Sequence, residues 1–197
     1  MKDKIIIRVI SIIILMIVMV KCGYKEKIKG IGTALTPLKE IVVIELFKDN
    51  FSSTNIDTTK WSNSECNIND NGIEPPSIPY SLDIPGTASI TSKPVDLSQY
   101  TNEVKLEFYI EETGWGNSPE YGEDLYVYCS NENGWVEIGR YIVSEISETN
   151  FESKSITIDK TNLHSKFRIR FSNPYGTGVE YDDWYIDNVR ITTTEVQ

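Results

Sequence analysis

The sequence predicts an all-β fold, a two-sheet antiparallel jelly-roll sandwich of about eight strands, and three observations carry that prediction. Apolar residues recur with a period of two in one segment after another. Clusters of Asn, Asp, Ser, Pro and Gly separate those segments, and no ten-residue stretch after residue 45 keeps apolar residues at helical spacing. Composition agrees, since 11 Tyr, 4 Trp and 6 Phe against only Ala34 and Ala88 suit a pleated surface better than a helix.

The predicted strands lie near residues 41–47, 87–95, 103–111, 124–130, 135–143, 154–159, 166–172 and 184–192. Alternation is clearest at Val104, Leu106, Phe108 and Ile110, whose neighbours Glu103, Lys105, Glu107 and Tyr109 turn the other way. The same period places Leu125, Val127 and Cys129 inward, then Val136 and Ile138, then Ile156 and Ile158. It recurs at Phe167, Ile169 and Phe171, with Arg168 and Arg170 outward. Turns fall at Asn131-Glu132-Asn133-Gly134, at 159–162 and at 172–178.

The closing segment from Asp182 to Ile191 breaks the pattern. Trp184 and Ile186 share one face, whereas Val189 and Ile191 have the other parity, so this strand contains a bulge or is apolar on both faces. Asp187 or Asn188 then lies near the core. A carboxylate there needs an arginine, a set of backbone N–H donors or a metal.

A chain of 197 residues with 40% hydrophobic content accommodates one well-buried domain behind a targeting segment. The formal net charge is −10, yet residues 45–197 alone carry 26 acidic against 11 basic side chains. A domain of that sign repels phosphate backbones, so nucleic acid is excluded as a partner. Solubility and cation binding are both open explanations of the acidity.

The basic residues gather at the N-terminus, where Lys2, Lys4 and Arg8 precede the apolar run from Val9 to Val20, broken only by Ser11. This pattern reads as an export signal, residues 1–21, either cleaved or kept as a signal anchor. Cys22 directly after it resembles the lipidation site of the bacterial lipoprotein signal, although Lys21 stands where that signal has a small residue. Residues 22–40, with Gly23 and Pro37 and no periodicity, read as a tether, and residues 41–194 as the folded domain. The expected location is membrane-attached on the extracytoplasmic side of a bacterial envelope. There Cys66 and Cys129 form either a disulfide or two unpaired thiols. Cysteine metal ligation has no support without a CxxC pair, and the single histidine, His164, reads as a loop residue.

Several segments together resemble the MAM-like and reelin-subrepeat-like (concanavalin-like) jelly rolls of secreted and surface bacterial proteins. They are Phe47-Lys48-Asp49-Asn50-Phe51 with Trp61 downstream, Pro94 to Tyr100, Asp124 to Ser130, Gly134 to Ile138, Phe167 to Phe171 and Asp183 to Ile191. The likeness spans roughly residues 45–192 and departs at the lengthened 111–123 insertion. It implies a non-catalytic recognition or adhesion module at the cell surface. It also implies a structural Ca²⁺ where the first strand meets the last, with Asp49, Asp183 and Asp187 as ligands. Read without that likeness, Asp49 caps a turn and Asp187 pairs with Arg190 or Arg168.

The 111–123 insertion has the make-up of a binding loop, with Trp115 and Tyr121 offering flat faces to sugar rings. Tyr126 and Tyr128, opposite in parity to Leu125 and Val127, extend such a platform, as do Tyr175 and Tyr181. The alternative is that these aromatics pack against the sheets. Trp61, Trp135 and Trp184 read as core anchors. For an enzyme, only a carboxylate pair such as Glu107 with Glu137 offers itself, and nothing sets it apart from solvated strand residues. The expected function is therefore binding of a glycan or a surface protein without catalysis. The alternatives are a structural envelope component and a polysaccharide-acting enzyme.

Overall fold

The computed structural model describes residues 40–178 and 181–196. The export signal, Cys22 and the tether as far as residue 39 lie outside the described residues. Eleven strands follow, in the order β1 (Ile41–Asp49), β2 (Trp61–Ser64), β3 (Asn67–Asn69), β4 (Ser81–Ile84), β5 (Ser89–Ser92) and β6 (Val104–Glu112). Then come β7 (Leu125–Asn131), β8 (Gly134–Tyr141), β9 (Glu152–Ile158), β10 (Ile169–Ser172) and β11 (Trp184–Val196). A single 3₁₀ turn at Lys160–Asn162 is capped by the Asp159 side chain. All eight predicted strands are present. The three additional ones, β2, β3 and β4, are short, and they form because neighbouring strands offer them ladder partners.

Two antiparallel sheets make the sandwich. One has the order β3-β4-β11-β6-β9, with β1 pairing along the second half of β11. The other has the order β2-β5-β10-β7-β8. The inward residues of the two sheets close the core, including Val104, Leu106, Phe108 and Ile110 from β6 and Leu125, Val127 and Cys129 from β7. Phe108 bridges the layers, its ring 5.0 Å from Phe171 and 5.7 Å from Tyr141, both edge-to-face. Trp61 and Trp184 are fully buried, as core anchors should be.

The parity break in β11 resolves into a bulge and a doubly buried strand at once. Pairing to β6 slips between Asp187 and Arg190, and Asn188 has a φ of +49°. Trp184, Ile186, Val189 and Ile191 thereby all reach the core, while Tyr185 and Asp187 on the opposite face are also buried. The segment between β3 and β4 covers that opposite face: Ile73 N donates to Glu111 at 2.8 Å and Ser77 N to Asp187 at 2.6 Å. Of the three partners open to Asp187, backbone N–H groups are the ones present, from Ser77 and from Asn188, each at 2.6 Å. The pairing with Arg190 or Arg168 does not form. Arg190 turns to Glu107 instead, because the bulge directs it outward.

Cys66 and Cys129 are separate buried thiols, so the disulfide left open by the sequence is not formed. Topology explains this. Cys66 follows β2 at one edge of its sheet, and Cys129 sits on β7, with β5 and β10 between those strands. Three strand spacings are roughly 14 Å, about twice the Cα separation a disulfide spans. Burial raises both thiols, Cys129 to about 11 and Cys66 further still.

Candidate functional site

The outer face of the β2-β5-β10-β7-β8 sheet brings together Tyr126, Tyr128, Tyr175 and Trp135. On β7, parity turns Tyr126 and Tyr128 outward, with near-parallel rings 6.0 Å apart. Antiparallel register sets Arg140 of β8 beside Tyr126 and Glu137 beside Tyr128, with Trp135 beside Ser130. On the other flank, β10 sets Arg170 beside Tyr128. The Arg140 guanidinium lies 5.0 Å from the Tyr126 ring centroid, and that of Arg170 lies 4.0 Å from the Trp135 ring. Tyr175, from the loop after β10, closes on Tyr126 at 5.8 Å.

These cations are held from below rather than left to search. Asp124, buried, accepts from Arg140 Nε at 2.7 Å and from Val143 N at 3.0 Å. The Asp124 partner raises the Arg140 guanidinium further above its ordinary value. Arg170 Nε donates to Thr91 Oγ1 at 3.0 Å. Past Trp135 the face runs into an open groove lined by Ser130, Asn133, His164, Lys166 and Arg168. His164 sits in the predicted loop, with Nε2 3.1 Å from Ser130 Oγ. The arrangement is a firm aromatic row edged by hydrogen-bonding groups of both signs.

The expected ligand residues divide. Tyr126 and Tyr128 belong to this row, but Tyr126 is only 7% exposed, because Tyr128, Tyr175 and Arg140 enclose it. It supports the row more than it presents a surface. Trp115 (75% exposed) and Tyr121 (96%) stand on the 111–123 loop, outside the stacked rings. Trp135, read from sequence as a core anchor, is 37% exposed on the row. Its register partner Ser130 faces outward, which takes the indole out of the core.

The 111–123 loop is pinned by polar contacts. Asp183 is a main strut: its carboxylate accepts from Asn117 N at 2.6 Å, and its carbonyl accepts from Thr113 N at 2.9 Å. Gly116 is required beneath this contact, since a Cβ there would stand 2.0 Å from Asp183 Oδ2. Beside it, burial and then the neighbouring Asp183 push Asp83 up to about 7. Burial likewise pushes Glu111 up to about 7. At the rim, burial first, then a hydrogen bond with the Glu120 side chain and the charge of Asp182, push Glu123 up to about 7.

The carboxylates expected to share a calcium are not brought together as a set. Asp49 accepts from Trp61 Nε1 at 2.7 Å and from Phe51 N at 3.1 Å, so it caps a turn and anchors an indole. Asp187 lies close enough for the charge of Asp49 to raise it, but burial is the larger cause of its rise to about 6. Its oxygens face the N–H groups of Ser77 and Asn188. Asp183, four residues before Asp187 and just ahead of β11, instead joins Asp83 and Asn117. Among the described residues these three carboxylates do not form one group: N–H donors face the oxygens of Asp49 and Asp187, while Asp183 accepts from Asn117. Glu107 and Glu137 do not converge either. Glu107 pairs with Arg190 on one sheet's outer face, and Glu137 lies on the other sheet, so the sandwich stands between them.

No family model matches the chain, and no curated protein matches it in sequence. Solved structures do match in fold. The CBM22-1 xylan-binding domain of Xyn10C from Paenibacillus barcinonensis superposes with a TM-score of 0.55 at 12% identity, covering 76% of this chain and 94% of that one. The K3 cleaved adhesin domain of Lys-gingipain from Porphyromonas gingivalis gives 0.54 at 12% identity, covering 77% and 99%. A cyclase from Fischerella gives 0.53 at 14% identity, covering 78% and 98%. At such identities the likeness establishes the jelly-roll sandwich and nothing finer.

Proposed function

We propose that the protein is a non-catalytic recognition module that binds glycan on the outer face of the β2-β5-β10-β7-β8 sheet. The observation that carries this reading is the row formed by Tyr128, Tyr126 and Tyr175, continued by Arg170 on Trp135. The C–H faces of sugar rings stack on aromatic planes, and flanking guanidinium and carboxylate groups such as Arg140 and Glu137 bond their hydroxyls. The likeness to a xylan-binding domain supports the reading, as does the sequence resemblance to MAM-like and reelin-subrepeat-like recognition modules. The likeness to a cyclase is one of fold, and the carboxylate pair considered for catalysis is split between sheets. The apolar run before Cys22 supports tethering on the extracytoplasmic side of a membrane, by lipid or by signal anchor.

Glycan-array binding by the full chain tests this. Binding to one class of polysaccharide is expected, lost in Tyr128→Ala and Trp135→Ala and retained in Trp115→Ala and Tyr121→Ala. A folded protein that binds no glycan overturns the reading. Mass measurement of the mature N-terminus tests the tether: an N-terminus at a modified Cys22 supports lipidation, and an intact Met1 excludes it.

A further inference from the structure

Where the 111–123 loop meets the segment leading into β11, Glu120, Glu123 and Asp182 each bring one carboxylate oxygen within 4.8 Å of the other two. Two of the three are withdrawn from solvent, Asp182 at 0% and Glu123 at 7% exposure, while Glu120 is exposed. No lysine or arginine pairs with any of them among the described residues. Three like charges this close, with two removed from water, repel one another strongly unless something positive lies between them.

A second observation points into the same place. Asp182 Oδ2 is satisfied by Thr177, whose N lies at 2.5 Å and Oγ1 at 3.0 Å. Its other oxygen, Oδ1, is buried and has no hydrogen-bond partner among the described residues. A fully buried carboxylate oxygen beside two further carboxylates, itself without a partner, is an acceptor that a cation can satisfy. Glu123 is oriented from both sides: its Oε2 accepts from Glu120 N at 2.6 Å, and its carbonyl accepts from Trp184 Nε1 at 3.0 Å.

We propose that Glu120, Glu123 and Asp182 bind a hard divalent cation of the calcium class, which fastens the 111–123 loop to the chain entering β11. Calcium takes oxygen ligands at about 2.3–2.6 Å, so two ligands on one ion stand at most roughly 5 Å apart, which the observed spacing satisfies. Three carboxylates provide part of the six to eight oxygens it wants, and the exposed side of Glu120 leaves room for water to complete the set. The site is distinct from the Asp49 and Asp187 region and does not depend on the glycan reading. It lies next to that face, however. Glu123 precedes Asp124, which holds Arg140, and Thr177 belongs to the loop that carries Tyr175.

Terbium titration of the full chain tests the site, because the Trp184 indole, bonded to the Glu123 carbonyl, is placed to sensitise a lanthanide bound there. Saturable sensitised emission that calcium displaces is expected, with affinity about tenfold weaker in Glu120→Gln and weaker still in Glu123→Gln. Asp49→Asn should leave that affinity unchanged. Glu120 is exposed, so Glu120→Gln keeps the fold and decides the matter if the buried variants do not fold. Absence of saturable emission, or equal affinity in the wild type and Glu120→Gln, overturns the proposal.

Discussion

On the outer face of the sheet built around β6, Arg190 lies 3.1 Å from Glu107, Thr192 also donates to Glu107, and Lys105 lies 2.9 Å from Glu103. On the outer face of the sheet built around β7, Arg170 lies over Trp135 and Arg140 over Tyr126. The first face neutralises its charges with one another, and where β11 enters it is roofed by the segment between β3 and β4. The second sets its guanidinium groups on aromatic rings, with Arg140 also paired to the buried Asp124. Both faces come from the same period-two alternation. What separates them is that the first sets its cations against carboxylates and hydroxyls, whereas the second also lays them on aromatic rings.

Phe108 touches both layers, so its loss should blur the comparison most. Phe108→Ala is expected to destabilise the domain by about 3–5 kcal/mol, measured by urea unfolding. Next in size is an effect confined to the roofed sheet. Burial raises Glu111 to about 7, and Asp83 and Asp187 shift the same way. A carboxyl raised in the folded state stabilises fully below its unfolded pKa of about 4.3, and that stability is lost as pH climbs through its folded pKa. The domain should therefore be more stable at pH 5 than at pH 8, with Glu111 contributing on the order of 2 kcal/mol. Glu111→Gln should flatten the pH dependence, and a flat wild-type profile would contradict the assignment.

On the open face, Trp135→Ala should weaken glycan binding at least about tenfold, roughly 1.4 kcal/mol, while leaving the melting temperature nearly unchanged. Arg190→Ala sets the lower end. It breaks a half-exposed ion pair, so a change below about 1 kcal/mol in stability and none in glycan binding is expected. A larger loss of binding from Arg190→Ala than from Trp135→Ala would reverse the assignment of the two faces.

Much of this contrast was readable in advance. The strands that alternate cleanly, from Val104 to Ile110 and from Leu125 to Cys129, stand where the pattern places them, and Tyr126 and Tyr128 turn outward as their parity requires. Trp135 was readable too: once Val136 and Ile138 are taken as inward, their neighbour faces out, and only the habit of placing tryptophan in cores obscured it. The short strands were not readable. Ser62-Asn63-Ser64 and Asn67-Ile68-Asn69 have no apolar period, and they pair because β5 and β4 present open edges.

The carboxylates mark the boundary between the two kinds of information. Alternation acts between neighbours in the chain, so the sequence alone determined the sandwich and the outward tyrosines, and for β11 it left a bulge or two apolar faces as the choice. Whether Asp187 met an arginine, a metal or N–H groups depended on which distant segment arrived, and it was Ser77, 110 positions away along the chain. Likewise Glu120, Glu123 and Asp182 meet only because the 111–123 loop folds onto the chain entering β11. Desolvation and charge act through space, so their outcome waited on the tertiary structure.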